Sequence, residues 1–332
     1  MDIKIIFLIL VPLATAFLIP LIDLINAKLR RFFVLLGILL ESYLIISIII
    51  NNFQSLKNGD FFLQYYLGGW HPPMGISLAM DGLSLLFTVI TSVSLFLIVI
   101  YSIGYIGHHE GKYYVLYFLI AAASMGSILT ADMFNIYVFI EMLTITSGAL
   151  IGFKRSQEAS AAAIKYLIYN VLAGLLFFLG VLLIYFNLGT LNMADISQNF
   201  ASLESGIQLF ISAIFLTAIL IKMGIFPFFF WLPKSYDSAP SPVTAVLSGI
   251  LSKVYLYIFI RVFWTVIGFE TLQALNLNIM LLDLALLSSF LGHVFALQSN
   301  NIKRLLGYSS IGHIGMILAV LMLNTDAGFY GG

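Results

Sequence analysis

Cysteine is absent from this 332-residue chain, and charged residues make up only 9% of it. The first absence excludes disulfides, cysteine-ligated iron–sulfur clusters and thiol chemistry within the chain. The second, beside a hydrophobic fraction of 61% and a mean hydropathy of +1.06, excludes a soluble domain and marks an all-α polytopic membrane protein. The formal net charge is zero, so no basic surface points to nucleic acid. There is no G-x-x-x-x-G-K-[ST] run to cradle a nucleotide and no H-E-x-x-H to hold zinc. With no redox centre or nucleophile constellation, no cofactor is expected. Any quinone, hydrogen or sulfur chemistry would belong to partners, and membership of an ion-translocating oxidoreductase stays open.

What is present is a series of apolar runs. Ten candidate spans lie at 3–25, 32–50, 81–105, 113–130, 133–153, 159–186, 207–232, 243–266, 273–297 and 302–323, each near the ~20 residues a bilayer needs. The first lacks a basic n-region followed by a small-residue cleavage site, and reads as a retained span, not a signal peptide. Connections are short except for 51–80, which holds the Gly/Pro-rich GGWHPP, and no composition shift separates a second domain. Alternate loops hold Lys28, Arg30, Arg31, Lys112, Lys154, Arg155, Lys234, Lys303 and Arg304. The opposite set holds only Lys4 and Lys57, with the acids Asp132, Asp195, Glu204, Glu270 and Asp326. That asymmetry predicts cytoplasmic basic loops and an outside N-terminus.

The chain is organised around KMGIFPFFFWLPKSYDSAPSPVTAVLSGILSK, Lys222 to Lys253. Gly224 and Pro227 interrupt an apolar run, and Pro233, Pro240 and Pro242 follow. Proline removes a backbone donor and clashes with the preceding turn, so the spacing predicts a helix broken at membrane depth. Such breaks survive only against protein or a watery cavity. A lysine there costs roughly 2.5–3.5 kcal/mol on insertion scales, which requires compensation.

The charges inside spans are Glu41, Glu141, Lys165, Lys222, Lys253, Arg261 and Asp283. Such groups usually face the bundle interior, pair, and mark ion or proton routes. Tyr137, Glu141, Thr144 and Gly148 recur at helical spacing and make one face polar or small. The alternative for Glu141 is a structural ion pair between helices. Lys222 stands just before the break, where it either exchanges protons or stabilises the break by donating to freed carbonyls. Lys253 lies ~15 Å into its span at 1.5 Å per residue, near the midplane. With Gly249 and Tyr257 one turn to either side, it is expected to face water and relay protons. Lys165 is close enough to the cytoplasmic end to snorkel. Arg261 does not release its proton at ordinary pH and reads as an anchor. Glu41 and Asp283 read as structural or water-facing. His71, His108 and His109 fall in loops; His293 and His313 fall in spans, and His313, beside Ser309 and Ser310, suits proton relay better. Gly307, Gly312 and Gly315 read as helix packing.

The run KMGIFPFFFWLPKSYDSAPSPVTAVLSGILSKVYLY resembles the signature of the antiporter-like proton-translocating subunits. That family occurs in respiratory complex I, membrane-bound hydrogenases and Mrp-type cation/proton antiporters. GGWHPPMGISLAMDGLS, FIEMLTITSGALIGF and NNIKRLLGYSSIGHIGMIL are similar to the same family at the same relative positions, so the resemblance covers most of 68–320. APSPVTAVLSGILSKV and the loop before Asp81 are most similar to the Mrp D-type subunit and its hydrogenase relatives. The resemblance implies two inverted five-helix repeats, each with a broken helix, a common transporter plan. It divides this single membrane domain into peripheral helices (1–105), a complete first repeat (113–266) and the start of a second (273–332). Glu141 is similar to the family's span-five glutamate, Lys222 to its broken-helix lysine, Lys253 to its span-eight lysine, Lys165 to a span-six lysine and His313 to a span-ten histidine. The chain stops at DAGFYGG just after span ten, so either the sequence is a fragment or a partner supplies the rest.

The resulting expectation is a proton-translocating subunit of a multisubunit complex in the inner membrane, working with other membrane subunits in the lipid bilayer. The competing readings are a sodium/proton antiporter subunit without a redox driver, with Asp283, Glu41 and serines as sodium ligands, and a non-transporting scaffold.

Overall fold

The computed structural model describes residues 2–107 and 110–325. The loop residues His108 and His109, the acid Asp326 and the remainder of DAGFYGG lie outside the described residues. Among the described residues, ten helices are long and apolar enough to cross a membrane, as the hydropathy pattern predicts.

The chain begins as an antiparallel helix pair, α1 (Lys4–Asp23) and α2 (Ala27–Asn51). Asn26 caps α2 by accepting from the Lys28 N–H. The long connection that follows is ordered: a short α3 (Phe53–Asn58) leads into a hairpin of β1 (Phe62–Tyr66) and β2 (Ser77–Asp81), with Phe62 opposite Asp81. The GGWHPP turn sits at the hairpin tip, and the His71 ring there packs at a tilt against Tyr66. Five residues of each strand, FLQYY and SLAMD, carry the pairing, too brief a signal to stand out among apolar spans.

Asp81 ends β2 and starts α4 (Gly82–Ser102) through a capping box, in which Asp81 accepts from the Ser84 N–H and Ser84 Oγ accepts from the Asp81 N–H. Next comes α5 (Glu110–Leu129), buried along almost its whole length at the centre of the bundle. Against it pack α1 and α6 (Met133–Ile151), and the long α7 (Gln157–Leu188) packs on α6. A short surface helix α8 (Met193–Asn199) precedes α9 (Ser205–Met223), which stops inside the apolar layer.

After an irregular stretch the direction resumes as α10 (Leu232–Ser238). The discontinuous helix therefore runs past 232, and Lys234 sits in its returning half, not in a loop. Pro233 is the reason: in a helix's first turn the missing N–H has no intrahelical partner to lose, so proline opens α10 where the sequence suggested an end. Span eight consists of α11 (Ser241–Val246), a π-helical turn at Leu247–Leu251, α12 (Ser252–Ile260) and a second π turn at Arg261–Val266. After α13 (Phe269–Ala274), the tightly packed pair α14 (Leu277–Leu297) and α15 (Ile302–Met322) completes the described chain.

The loops sort onto two faces. One carries the hairpin, the Leu78–Thr130 and Asp132–Asn192 bridges and the Asp81–Arg261 pair. The other carries the Asp23–Arg30–Glu110–Arg31 ion network, Tyr105 bonded to Ser241, and Asp237 bonded to Asn301 and Arg304. Between them the outer surface is apolar, as in the exposed row Leu172, Leu175, Leu179, Leu182 and Phe186 of α7. Backbone hydrogen bonds satisfied within helices suit that exterior to hydrocarbon.

Candidate functional site

The break is built so that Lys222 is not needed to repair it. Gly224, at φ +69, takes the left-handed conformation that ends α9. Its N–H donates to Ile221 O, and the Ile225 N–H donates to Leu220 O, both at 3.1 Å. The Trp231 indole N–H adds a second bond to Ile221 O at 3.0 Å. Ser288 of α14 accepts from the Phe226 N–H at 2.8 Å, tying the irregular stretch to the next pair of helices.

Lys222, one residue before the end of α9, instead crosses to α6 and α7. It is 2% exposed. Its Nζ donates to Thr144 Oγ1 and to the Asn170 carbonyl, each at 2.9 Å, and lies 3.5 Å from Glu141 Oε1. Glu141 and Thr144 are three residues apart and share one face of α6. Gly174 clears the space from α7, since a side-chain carbon there would overlap the Glu141 carboxylate. A single glycine one turn beyond buried Asn170 was the available signal for that close approach. The reading of Lys222 as a donor to freed carbonyls of the break is thereby corrected: Trp231 and the loop backbone take that role.

The surroundings are polar beyond the pair. Lys222 Nζ is 5.8 Å from the centre of the Tyr255 ring. The buried hydroxyls of Ser147, Tyr166 and Tyr255 lie beside one another, and the side-chain carbonyl of Asn170 is buried without a hydrogen-bond partner among the described residues. Buried polar atoms of this kind are ordinarily satisfied by ordered water. At 3.5 Å and an effective dielectric near 20, the Glu141–Lys222 attraction is about 5 kcal/mol. That is of the same order as the several kcal/mol lost on taking each ion out of water.

The other expected residues are not gathered at this pair. Lys253 is exposed on the surface of the chain, and its Nζ turns back to the Ser248 carbonyl at 2.7 Å across the first π turn. Lys165 is exposed on the outer side of α7. His313 is exposed on α15, with Nδ1 2.7 Å from the Ser309 carbonyl, and its ring centre lies 5.4 Å from that of His293. Asp283 is exposed on α14.

Arg261 is an anchor, with a partner that the sequence reading missed. It binds Asp81 through two nitrogens at 2.7 and 2.8 Å, and its Nε donates to the Tyr257 hydroxyl at 3.0 Å. Burial works against the Asp81 charge, but Arg261 and the two Ser84 donors outweigh it and hold the carboxyl at about 2. The pair lines a cleft of ≈ 430 Å³ on the hairpin face, with Asn192 and Asp195 opposite. Gly312 and Gly315 meet His293 and the α14 backbone, and Gly307 meets Pro233, which matches the helix-packing reading of these glycines.

Known proteins share this architecture. The NADH:quinone oxidoreductase/Mrp antiporter transmembrane family matches residues 130–331. The protein is similar to the D-type subunit of the Na(+)/H(+) antiporter of Bacillus subtilis (strain 168), 33% identical over 97% of this chain and 64% of the relative. It is equally similar to the corresponding antiporter protein of Alkalihalophilus pseudofirmus, 33% identical over 90% of this chain and 59% of the relative. It thus spans about three fifths of the length of these relatives. A chain of the membrane-bound sulfane sulfur reductase (MBS), an archaeal respiratory membrane complex, superposes with a TM-score of 0.88 at 30% identity, covering 96% of this chain and 64% of that one. The protein belongs to the NADH:quinone oxidoreductase/Mrp antiporter transmembrane family.

Proposed function

We propose that the chain is a proton-translocating, antiporter-like subunit of a multisubunit membrane complex, in which Glu141 and Lys222 form the protonation switch. The observation that carries this reading is a lysine only 2% exposed, set at a broken helix and 3.5 Å from a carboxylate. Withdrawing an ammonium from water favours release of its proton, and a nearby carboxylate opposes that release. Motion of α9 against α6 therefore alternates the lysine between holding and releasing a proton.

Lys253 passes the proton along a hydrated axis in this reading. Its exposure on the chain, like that of His313 and Lys165, suits relay residues completed by neighbouring membrane subunits. The single membrane domain works as peripheral helices over 1–105, a switch repeat over 113–266 and a following segment over 273–332. The basic loops face the cytoplasm and the N-terminus lies outside, supported by the gathering of Arg30, Arg31 and Arg304 on the face opposite the hairpin.

Driven proton uptake by the assembled complex tests the switch: Lys222→Ala or Glu141→Ala abolishes it, whereas wild-type pumping by assembled mutants refutes the assignment. A second reading, sodium/proton exchange without a redox driver, is favoured by the relatives that bear the name of Na(+)/H(+) antiporter subunits. The copurifying chains separate the two: small Mrp-like membrane subunits favour exchange, and hydrophilic iron–sulfur subunits favour the respiratory complex.

A further inference from the structure

The N-terminal helices bury a second carboxyl that the Glu141–Lys222 switch does not use. Glu41, on α2, has no exposed surface, and neither of its carboxyl oxygens has a hydrogen-bond partner among the described residues. Its surroundings come from three helices. From α1, Thr15 meets α2 at Gly37, its own hydroxyl engaged with the Val11 carbonyl. From α4, which packs against α2, Thr88 and Thr91 are buried with unengaged hydroxyls. From α5 come Phe118, which meets Gly37, and Tyr117, which lies within Coulombic reach of Glu41. The Tyr117 hydroxyl is committed to the Leu95 carbonyl, and Tyr113 stacks beneath it.

Among the described residues, the charged groups placed near this assembly stand at its two ends. Toward the face opposite the hairpin, Asp23, Arg30, Arg31 and Glu110 are paired among themselves. Toward the hairpin face, Lys4 donates from Nζ to Ser47 Oγ at 2.9 Å. Ser47 is six residues from Glu41 on the same helix, about 9 Å along its axis.

An ionised carboxylate in such a setting has neither a counter-charge nor a donor, a state that buried groups escape by taking up a proton. A bound sodium ion would need several oxygen ligands drawn in around the carboxylate, and none of the nearby hydroxyls engages it. We propose that Glu41 is a second proton-binding site of this chain, a neutral carboxylic acid in the packed state. It is separate from the Glu141–Lys222 switch. The assignment holds whether or not that switch carries protons.

Infrared difference spectroscopy of the intact membrane complex tests it without reference to transport. At neutral pH the wild type should show the carbonyl band of a protonated carboxylic acid, shifted by carbon-13 glutamate labelling and lost completely in Glu41→Gln. If Glu41→Gln does not assemble, Glu41→Asp should move that band and make it insensitive to glutamate labelling. A spectrum in which either variant retains every wild-type acid band overturns the proposal. So does loss of the band at fixed pH when potassium chloride is replaced by sodium chloride, which would make Glu41 a cation ligand instead.

Discussion

The Glu141 carboxylate occupies the volume that a side chain at position 174 would fill, so Gly174 is the floor on which the ion pair with Lys222 rests. Only a hydrogen atom at that position lets the carboxylate lie between α6 and α7 and still face the end of α9. Gly174→Ala is therefore expected to push Glu141 away from Lys222. Overpacking of this kind costs typically 1–3 kcal/mol, a loss that the complex can survive while losing transport. The check is driven proton uptake measured beside subunit content: normal assembly with reduced transport is expected, and normal transport would show that the carboxylate has room elsewhere.

Trp231 closes the end of α9 from across the break by donating to Ile221 O. Replacement by phenylalanine keeps the ring against Tyr166 but removes the donor. A net loss of about 0.5–1.5 kcal/mol is expected for one such hydrogen bond. It should appear as a lower Tm, with a larger transport defect if the position of Lys222 depends on the cap. An unchanged Tm would mean that the Gly224 N–H alone suffices for that carbonyl.

Asp81 and Arg261 join the hairpin to span eight. Because folding brings the Asp81 carboxyl down to about 2 from its ordinary 3.8, its stabilising contribution is complete above that ordinary value and is lost as pH falls toward the folded value. Asp81→Asn should lower stability by about 1–3 kcal/mol near neutral pH, the lower part of that range being expected because the Asp81 side chain is 35% exposed. The difference in Tm between mutant and wild type should shrink as pH falls from 4 toward 2. A difference that stays constant over that window would exclude the ion pair as its source.

Much of this arrangement is legible in the residues themselves. Bilayer-length apolar runs locate all ten spans, and Gly224 with Pro227 locates the break. The cost of burying Lys222 calls for compensation, and Glu141 stands on a polar helical face, but it is the family resemblance, and not the spacing, that pairs the two. The remainder depends on contacts between distant positions. Asp81 and Arg261 are 180 residues apart, and nothing local to either names the other. Lys253 looks interior by depth, yet depth along a helix does not say which side of the helix faces the bundle. Glu41 shows the converse, because one charge in an apolar helix is compatible with lipid-edge, watery or sealed surroundings until its neighbours are known.

The central claim is that Lys222 changes its proton occupancy under the control of Glu141. Its most direct test is driven proton uptake by vesicles containing the assembled complex with Lys222→Met, which keeps the length of the side chain and removes its charge. The account predicts full subunit content with proton uptake reduced to the leak seen without driving energy. Uptake at the wild-type rate by that assembled variant would contradict it.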